Sequence, residues 1–318
     1  MSKPVPRPQS SRRHHRLAPL LRWFDTSTLS PDERFGEAID WLRVLPFFLM
    51  HVACLAVFWV GFSWTALWTG VALYALRMFA ITGFYHRYFS HRAFRTSRAL
   101  QFVFAVIGAA SVQRGPLWWA AHHRHHHRHA DTTLDMHSPR RGFWHSHMGW
   151  FLSRGAFTTN HEAVKDLQRF PELRWLDRFD ILVPVLLAVA LVLAGTVLAR
   201  VAPALGTNGP QLLVWGFFIS TVVLFHVTVT INSLAHRWGT RRFATNDDSR
   251  NNLLLALLTF GEGWHNNHHH FPGSARQGFR WWEVDLTYYV LRAMSWLGLV
   301  WDLKAMPESL RNARPQLR

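Results

Sequence analysis

Cysteine is nearly absent: the 318 residues hold one, Cys54. Neither a disulfide framework nor a cysteine-ligated zinc or iron–sulfur centre is available, so any bound metal must rely on nitrogen and oxygen. Acid is scarce too, with 19 Asp plus Glu against 35 Lys plus Arg. Such an excess suits nucleic acid or an anionic membrane surface. The cations cluster between long apolar runs, which favours the membrane and leaves no nucleic-acid partner. Residues 1–34 have no uninterrupted apolar core of signal-peptide type and are rich in Pro, Ser, Arg and His. They predict a basic, disordered, cytoplasmic tail, with 17–24 the one stretch suited to the interface. No internal repeat or heptad array is visible. What the chain does have is apolar surface: 49% of residues are hydrophobic, with 17 Trp and 24 Phe, more large aromatics than a soluble domain of this length usually carries.

Four segments are long and apolar enough to cross a bilayer, about 44–62, 66–84, 181–202 and 212–231. The first pair is joined by an uncharged turn at 63–65 and the second by a short Pro/Gly loop at 203–211. Arg87, Arg92, Arg95, Arg98, Arg124, Arg128, Arg140, Arg141 and Lys165 all fall between the two hairpins. The positive-inside rule therefore places that connector and both termini in the cytoplasm. The expected fold is an all-α integral membrane protein of four spans in two hairpins with a cytoplasmic helical cap. A catalytic domain would occupy 35–305 and a C-terminal tail 306–318. Two further apolar stretches, 99–112 and 281–301, read as interfacial helices, the second having a fifth span as its rival.

Histidine supplies the chemistry. His86/His91, His123/His126/His127 and His265/His268/His269 give eight imidazoles in three tight groups, more than one divalent ion requires. In the second and third groups the spacing is i, i+3, i+4, which stacks the rings on one helical face where they can converge on metal. His86 and His91, five apart, diverge by about 140° on a continuous α-helix, so both reach one site only if the helix ends between them. Asn232 and His236 add a further i, i+4 pair at the end of the fourth span. Apolar spans beside such a site point to chemistry on a lipid.

The strings His86-Arg-Tyr-Phe-Ser-His91, Trp119-Ala-Ala-His-His123-Arg-His-His126-His127, Arg140-Arg-Gly-Phe, Ser146-His-Met-Gly-Trp150, Asn232-Ser-Leu-Ala-His236 and Gly261-Glu-Gly-Trp-His265-Asn-Asn-His268-His269 resemble the stearoyl-type (delta-9) fatty acyl desaturases of the membrane di-iron superfamily. The resemblance covers about residues 70 to 285. It implies a mushroom-shaped, four-span oxidoreductase in which His86, His91, His123, His126, His127, His236, His265, His268 and His269 hold two irons. Asn232 would reach a metal through water. The implied reaction is O2-dependent insertion of a cis double bond into a saturated acyl chain, with electrons from a separate ferredoxin or cytochrome and its reductase. A multi-pass location in a bacterial inner membrane follows. Glu262, Asp131 and Asp135 are candidates to support the ligands. His122, His125 and His129 fall off the pattern. His137, His145, His147, His161 and His270 are candidates to orient ligands or touch substrate, and His51 and His226, inside spans, to bond a neighbouring helix. Trp119, Trp150 and Trp264 are candidate walls of an acyl tunnel, with Leu76 or Phe79 closing it.

At the head-group end the chain departs from the acyl-CoA enzymes. They carry Asn, Arg-Asp and Arg-Lys where this chain has Arg114, Ala121-His122 and Arg154-Gly155. Arg114 and Arg154 remain candidate substrate contacts, but phosphate partners are lost. A phospholipid acyl chain or an acyl carrier protein thus stands beside acyl-CoA as donor. A di-iron hydroxylase or alkane monooxygenase would use the same ligands. A metal transporter is disfavoured, because its ligands would line a path near the bilayer midplane.

Overall fold

A computed structural model of the chain describes residues 21, 23–28 and 36–311. Among these residues, four helices are long and apolar enough to cross a membrane: α1 (Trp41–Val60), α2 (Trp64–Ser90), α6 (Leu182–Val201) and α7 (Gly209–Ser233). Between the hairpins lie α3 (Arg98–Ala109), α4 (Pro116–His129) and α5 (Pro171–Arg178). After α7 come α8 (Leu253–Leu258), α9 (His265–His270) and α10 (Leu286–Trp296). The fold is mostly helical. Among the described residues there is one sheet, β1 (Arg95–Thr96) against antiparallel β2 (Val300–Trp301), which ties the segment after α10 back to the connector.

The spans begin where local chemistry starts helices. Ser63 accepts from the Ala66 N–H to cap α2, and Asn208 from the Gln211 N–H at 3.0 Å to cap α7. The fourth span is the hub on which the other three pack. Gly70 of α2 lies so close to α7 that an added Cβ would stand 2.8 Å from the Trp215 carbonyl oxygen, the small-residue contact that lets membrane helices approach. Arg77, 1% exposed within α2, bonds the carbonyls of Leu73 (3.0 Å) and Ala110 (3.1 Å) and the hydroxyls of Thr221 (2.6 Å) and Ser220. A charge inside a span is costly unless so paired; here it joins α2, α7 and the end of α3. His51 and His226 pair at 3.0 Å across α1 and α7, and His226 bonds His147 at 3.0 Å.

Three expectations need correction. The 281–301 stretch is not one helix: its middle forms α10, 11 residues or ~16 Å of rise, too short to span, and its end is strand β2. Part of the N-terminal tail is pinned, with the Trp23 indole N–H on the Leu42 carbonyl at 2.9 Å and Asp25 paired with Arg178 at 2.7 Å; the rest of 1–34 lies largely outside the described residues. The C-terminal tail is also partly anchored, Met306 packing with Phe243 and Phe279.

The helix that matters most to the site, α4, starts at Gly115 with Pro116 in its first turn. Its cap comes from elsewhere: Asp177 of α5 accepts from the Trp118 N–H at 2.7 Å and from the Thr159 hydroxyl at 2.9 Å. Burial pushes the Asp177 carboxyl up to about 6. A Cβ on Gly115 would collide with Asp177. Gly115→Ala should therefore lower the thermal midpoint of the detergent-solubilised protein, by about 1–3 kcal/mol of stability. Gly273→Ala, with nothing within 4 Å of its Cβ, should melt like the parent; equal melts for both would contradict the contact.

Candidate metal centre

Nine histidines from four segments converge into two adjoining groups. His86, His91, His123, His127 and His268 form one, and His126, His236, His265 and His269 the other; within each, the candidate ligand nitrogens lie within 4.8 Å of one another. The two triads on α4 and α9 each divide between the groups. From α4, His123 and His127 serve the first and His126 the second; from α9, His265 and His269 serve the second and His268 the first. Each triad thus straddles both groups rather than converging on one metal.

Winding explains the first pair. From Ala80 to Ser90 the second span is a π-helix, whose i→i+5 hydrogen bonds return a side chain to the same face after five residues. The His91 N–H bonds the His86 carbonyl at 3.3 Å and the rings stand 4.9 Å apart. The helix does stop at Ser90, but wide winding aligns the rings. His236 also differs from expectation: α7 ends at Ser233, so Asn232 is on the helix while His236 sits in the turn beyond.

Carboxylates fix the rings. His126 Nδ1 donates to Asp135 at 3.0 Å, His236 Nδ1 to Asp131 at 2.9 Å, His269 Nδ1 to Asp247 at 2.9 Å, and His86 Nδ1 contacts Glu262. A donating Nδ1–H leaves Nε2 as the free ligand nitrogen. Burial opposes ionisation of Glu262, but His86 and Arg87 beside it draw its carboxyl below the usual range. Asp131, Asp135 and Asp247 are likewise lowered against burial by their histidine and backbone partners. Arg87, 1% exposed, grips Glu262 and Asp285, each at 3.0 Å, and the Ala275 carbonyl at 2.8 Å. Asp135 also stands 3.6 Å from His137, so the additional grouping of His126, Asp135 and His137 is the support of a ligand.

The donor set fits a pair of metal ions. Facing Nε2 atoms lie 2.8 Å apart in His91/His123, 2.9 Å in His127/His268 and 3.0 Å in both His86/His268 and His236/His265. Ligands ~2.1 Å from a common ion at right angles would be roughly 3.0 Å apart. His269 Nε2 is buried without a hydrogen-bond partner. An all-nitrogen set of this kind suits iron, zinc or copper.

Two cavities adjoin the histidines. A 460 Å³ cavity is lined by Trp119, Trp150, Gln113, Arg114, His123 and Asn232 and continues between the spans. A 50 Å³ pocket touches both groups, with His86, His123, His126, His265, Asn232 and Glu262 in its wall, room for a few water-sized molecules. Trp119 stacks on His123, centroids 5.0 Å apart. Arg114 is at the mouth, paired with Asp180 at 3.2 Å. The other candidates are elsewhere. Trp264 packs with its N–H on the Val284 carbonyl at 2.8 Å, and Arg154 is exposed. Leu76 and Phe79 line neither cavity; Phe79 packs on Phe84 and Phe104 instead, and Met78, Ile81 and Thr82 line the small pocket from that span. His122 and His137 line the large cavity, whereas His125 bonds the Leu134 carbonyl, His145 the Met136 carbonyl and His270 stacks on Phe243. Sequence reasoning missed Asp247 and Arg87. The acid pair Asp247-Asp248 in a chain poor in acid was a usable signal; Arg87 read only as one loop cation among many.

A centre of clustered imidazoles beside an apolar cavity, carried by a chain with four membrane-length helices among the described residues, defines the class. The sequence model of the fatty acid desaturase family matches residues 62–298. Among relatives, an acyl-CoA C20 Δ5-desaturase of Anemone leveillei is 38% identical, covering 81% of this chain and 80% of its own. Delta-9 acyl-lipid desaturase 1 of Arabidopsis thaliana is 35% identical over 90% of each chain. The sn-2 palmitoyl-lipid 9-desaturase of Nostoc sp. (strain 36) is 35% identical over 88% of this chain and 95% of its own. The chain belongs to the fatty acid desaturase family and is an oxidoreductase of lipid metabolism.

Removing one supporting carboxylate, in Glu262→Gln or Asp247→Asn, should weaken metal binding about 10–100-fold in a competition titration, with helix content retained; unchanged affinity would contradict the supporting role. Burial, followed by mutual repulsion, holds His91, His123, His127, His265 and His268 well below the ordinary imidazole value, and burial brings His269 to about 4. The unfolded chain takes up protons below about 6.5 where the folded site does not, so acid favours unfolding. The chelated protein should lose thermal stability as pH falls from 6.5 toward 4; a melt flat over that window would count against it.

Proposed function

We propose that the protein is an O2-dependent di-iron desaturase that places a cis double bond in a saturated acyl chain, at the ninth carbon. The carrying observation is the pair of histidine groups set against an apolar cavity whose wall includes His123 and Asn232. The position of the bond is supported by two Arabidopsis thaliana relatives described as delta-9 desaturases and by the Nostoc 9-desaturase. His86, His91, His123, His127 and His268 would hold one iron; His126, His236, His265 and His269 would hold the other, with Asn232 acting through water.

The chemistry that a bound iron pair supplies is reduction of O2 to an oxidant able to take hydrogen from an unactivated methylene pair. The balance is one O2, two hydrogens from the acyl chain, two electrons from an external carrier and two protons, giving the alkene and two waters. The chain's own residues hold, orient and exclude. Neutral imidazoles bind the metals, and Glu262, Asp131, Asp135 and Asp247 set their rings. The 50 Å³ pocket between the groups has room for O2. Trp119 and Trp150 keep the acyl cavity apolar, and Gln113 bonds Thr228 at 3.1 Å across its wall. The cap faces the cytoplasm, in a bacterial inner membrane, and its arginines receive an acidic ferredoxin or cytochrome reduced by its own reductase.

Expression in a host that makes no unsaturated fatty acids, with mass spectrometry of double-bond position, tests the reading. A new cis alkene at the ninth carbon is expected, lost in His126→Ala. An alcohol instead of an alkene would indicate a hydroxylase, and identical lipids from parent and variant would overturn the enzyme reading.

A further inference from the structure

Three histidines outside the metal groups are joined in a row. They are His51 on α1, His226 on α7 and His147 in the cap turn 145–149. None of the three lines either cavity, so what they contribute to the site must pass through other residues. His51 Nδ1 meets the Phe47 carbonyl at 2.7 Å, His51 Nε2 meets His226 Nε2 at 3.0 Å, His226 Nδ1 meets His147 Nε2 at 3.0 Å, and His147 Nδ1 meets the Ser233 hydroxyl at 2.9 Å.

The carbonyl end sets the direction of the row. A carbonyl only accepts, so His51 Nδ1 carries hydrogen. A neutral His51 then accepts at Nε2 from His226, His226 accepts at Nδ1 from His147, and His147 accepts at Nδ1 from Ser233. The one hydroxyl hydrogen of Ser233 therefore goes to His147 and not to the Val229 carbonyl, 3.1 Å away. Three neutral rings satisfy all six ring nitrogens, which suits a row with two members inside spans, where charge is costly. The last acceptor is a carbonyl that cannot pass a proton on, so the row holds position and does not conduct.

What it holds is α7. His147 grips that helix twice, at His226 and at Ser233, seven residues or about 10 Å apart and on one face. Phe143 stacks on the His147 ring, centroids 5.1 Å apart, and His51 ties the same helix to α1. Beside the row, Phe47, Phe151 and Phe225 pack edge to face with centroids 5.1–5.2 Å apart. Ser233 is the last residue of α7 and 0% exposed, and its neighbour Asn232 lines both cavities. Neighbours on a helix turn together. A rotation that moved Ser233 off His147 would swing Asn232 by the same angle away from the histidine groups.

We propose that His147 is a positioning residue for the metal centre: by gripping His226 and Ser233 it fixes the rotation of the last turns of α7 and so aims Asn232 at the pocket between the two histidine groups. The assignment rests on the metal-centre reading and on Asn232 acting there through water.

The test follows iron rather than turnover, in full-length protein titrated with Fe2+. His147→Phe keeps a ring but removes both hydrogen bonds; it should weaken iron binding about tenfold and alter the Mössbauer spectrum of one of the two irons. Asn232→Leu should give the same spectral change, and the double variant should be no worse than Asn232→Leu alone, because both substitutions break one line of action. His147→Gln can accept from Ser233 through its carbonyl and donate to His226 through its amide, and should restore the parental affinity and spectrum. Should His147→Phe fail to accumulate, Ser233→Ala, which removes only the last link, replaces it under the same criteria. A lower thermal midpoint with parental affinity and spectrum would overturn the positioning role and leave a tie between helices, as would additive losses in the double variant. A Gln variant no better than Phe would contradict the hydrogen-bonded row as the cause. No iron bound by the parent protein would instead sink the metal-centre reading itself.

Discussion

The structure depends on one interaction repeated four times, a buried carboxylate accepting the Nδ1 proton of a buried histidine. His91, His123, His127, His265, His268 and His269, packed together, repel protons, because burial and the neighbouring imidazoles disfavour the cationic form. What the nine need is a fixed tautomer, and Glu262, Asp131, Asp135 and Asp247 supply it for one ring of the first group and three of the second. Four anionic carboxylates also equal the charge of two divalent ions, so a loaded centre of neutral imidazoles would be close to electroneutral inside the cap. The scarcity of acid in the chain makes this concentration more telling: four of its 19 carboxylates stand directly behind these histidines.

That constraint accounts for features that otherwise look unrelated. The turn after α4 holds Asp131 at φ +60°, a left-handed conformation that a short polar residue tolerates. Asp135, four residues later, accepts from the Asp131 N–H at 3.0 Å and the His137 N–H at 3.2 Å, so one loop aims two carboxylates at two histidines, His126 on α4 and His236 in the turn after α7. Arg87 is buried to hold Glu262 and Asp285 together, and Asp285 in turn caps α10 by accepting from the Tyr288 N–H at 2.9 Å. Loss of one member would leave buried charge unpaired, which is why such networks fail as units.

Much of this was legible in the chain. The four spans lie within a few residues of the apolar windows because hydropathy over ~20 residues is a strong signal, and the histidine spacings marked two stretches that are helical, α4 and α9, and whose rings converge. Glu262, Asp131 and Asp135 stand where acids beside histidine clusters suggested. What could not be read is what depends on tertiary placement. Spacing alone puts His123, His126 and His127 on one face, but two groups of partner histidines beside that face divide it. The π-winding of 80–90 has no local sequence mark, so the alignment of His86 with His91 looked as though it required a helix end. Trp264 shares a motif with ligands and yet packs away from the cavity, since motif membership fixes neighbourhood in sequence and not the direction of a ring. Arg77 and Asp177 act through partners more than 50 residues away, beyond the reach of periodicity.

The central claim is that two ions sit in neighbouring all-imidazole sites of five and four ligands. X-ray absorption spectroscopy of the iron-loaded, full-length protein, with elemental analysis, tests it most directly. The account predicts two irons per chain, a nitrogen/oxygen shell with the outer scattering of imidazole rings, and no sulfur. One iron per chain, or a shell dominated by carboxylate with few imidazoles, would contradict it.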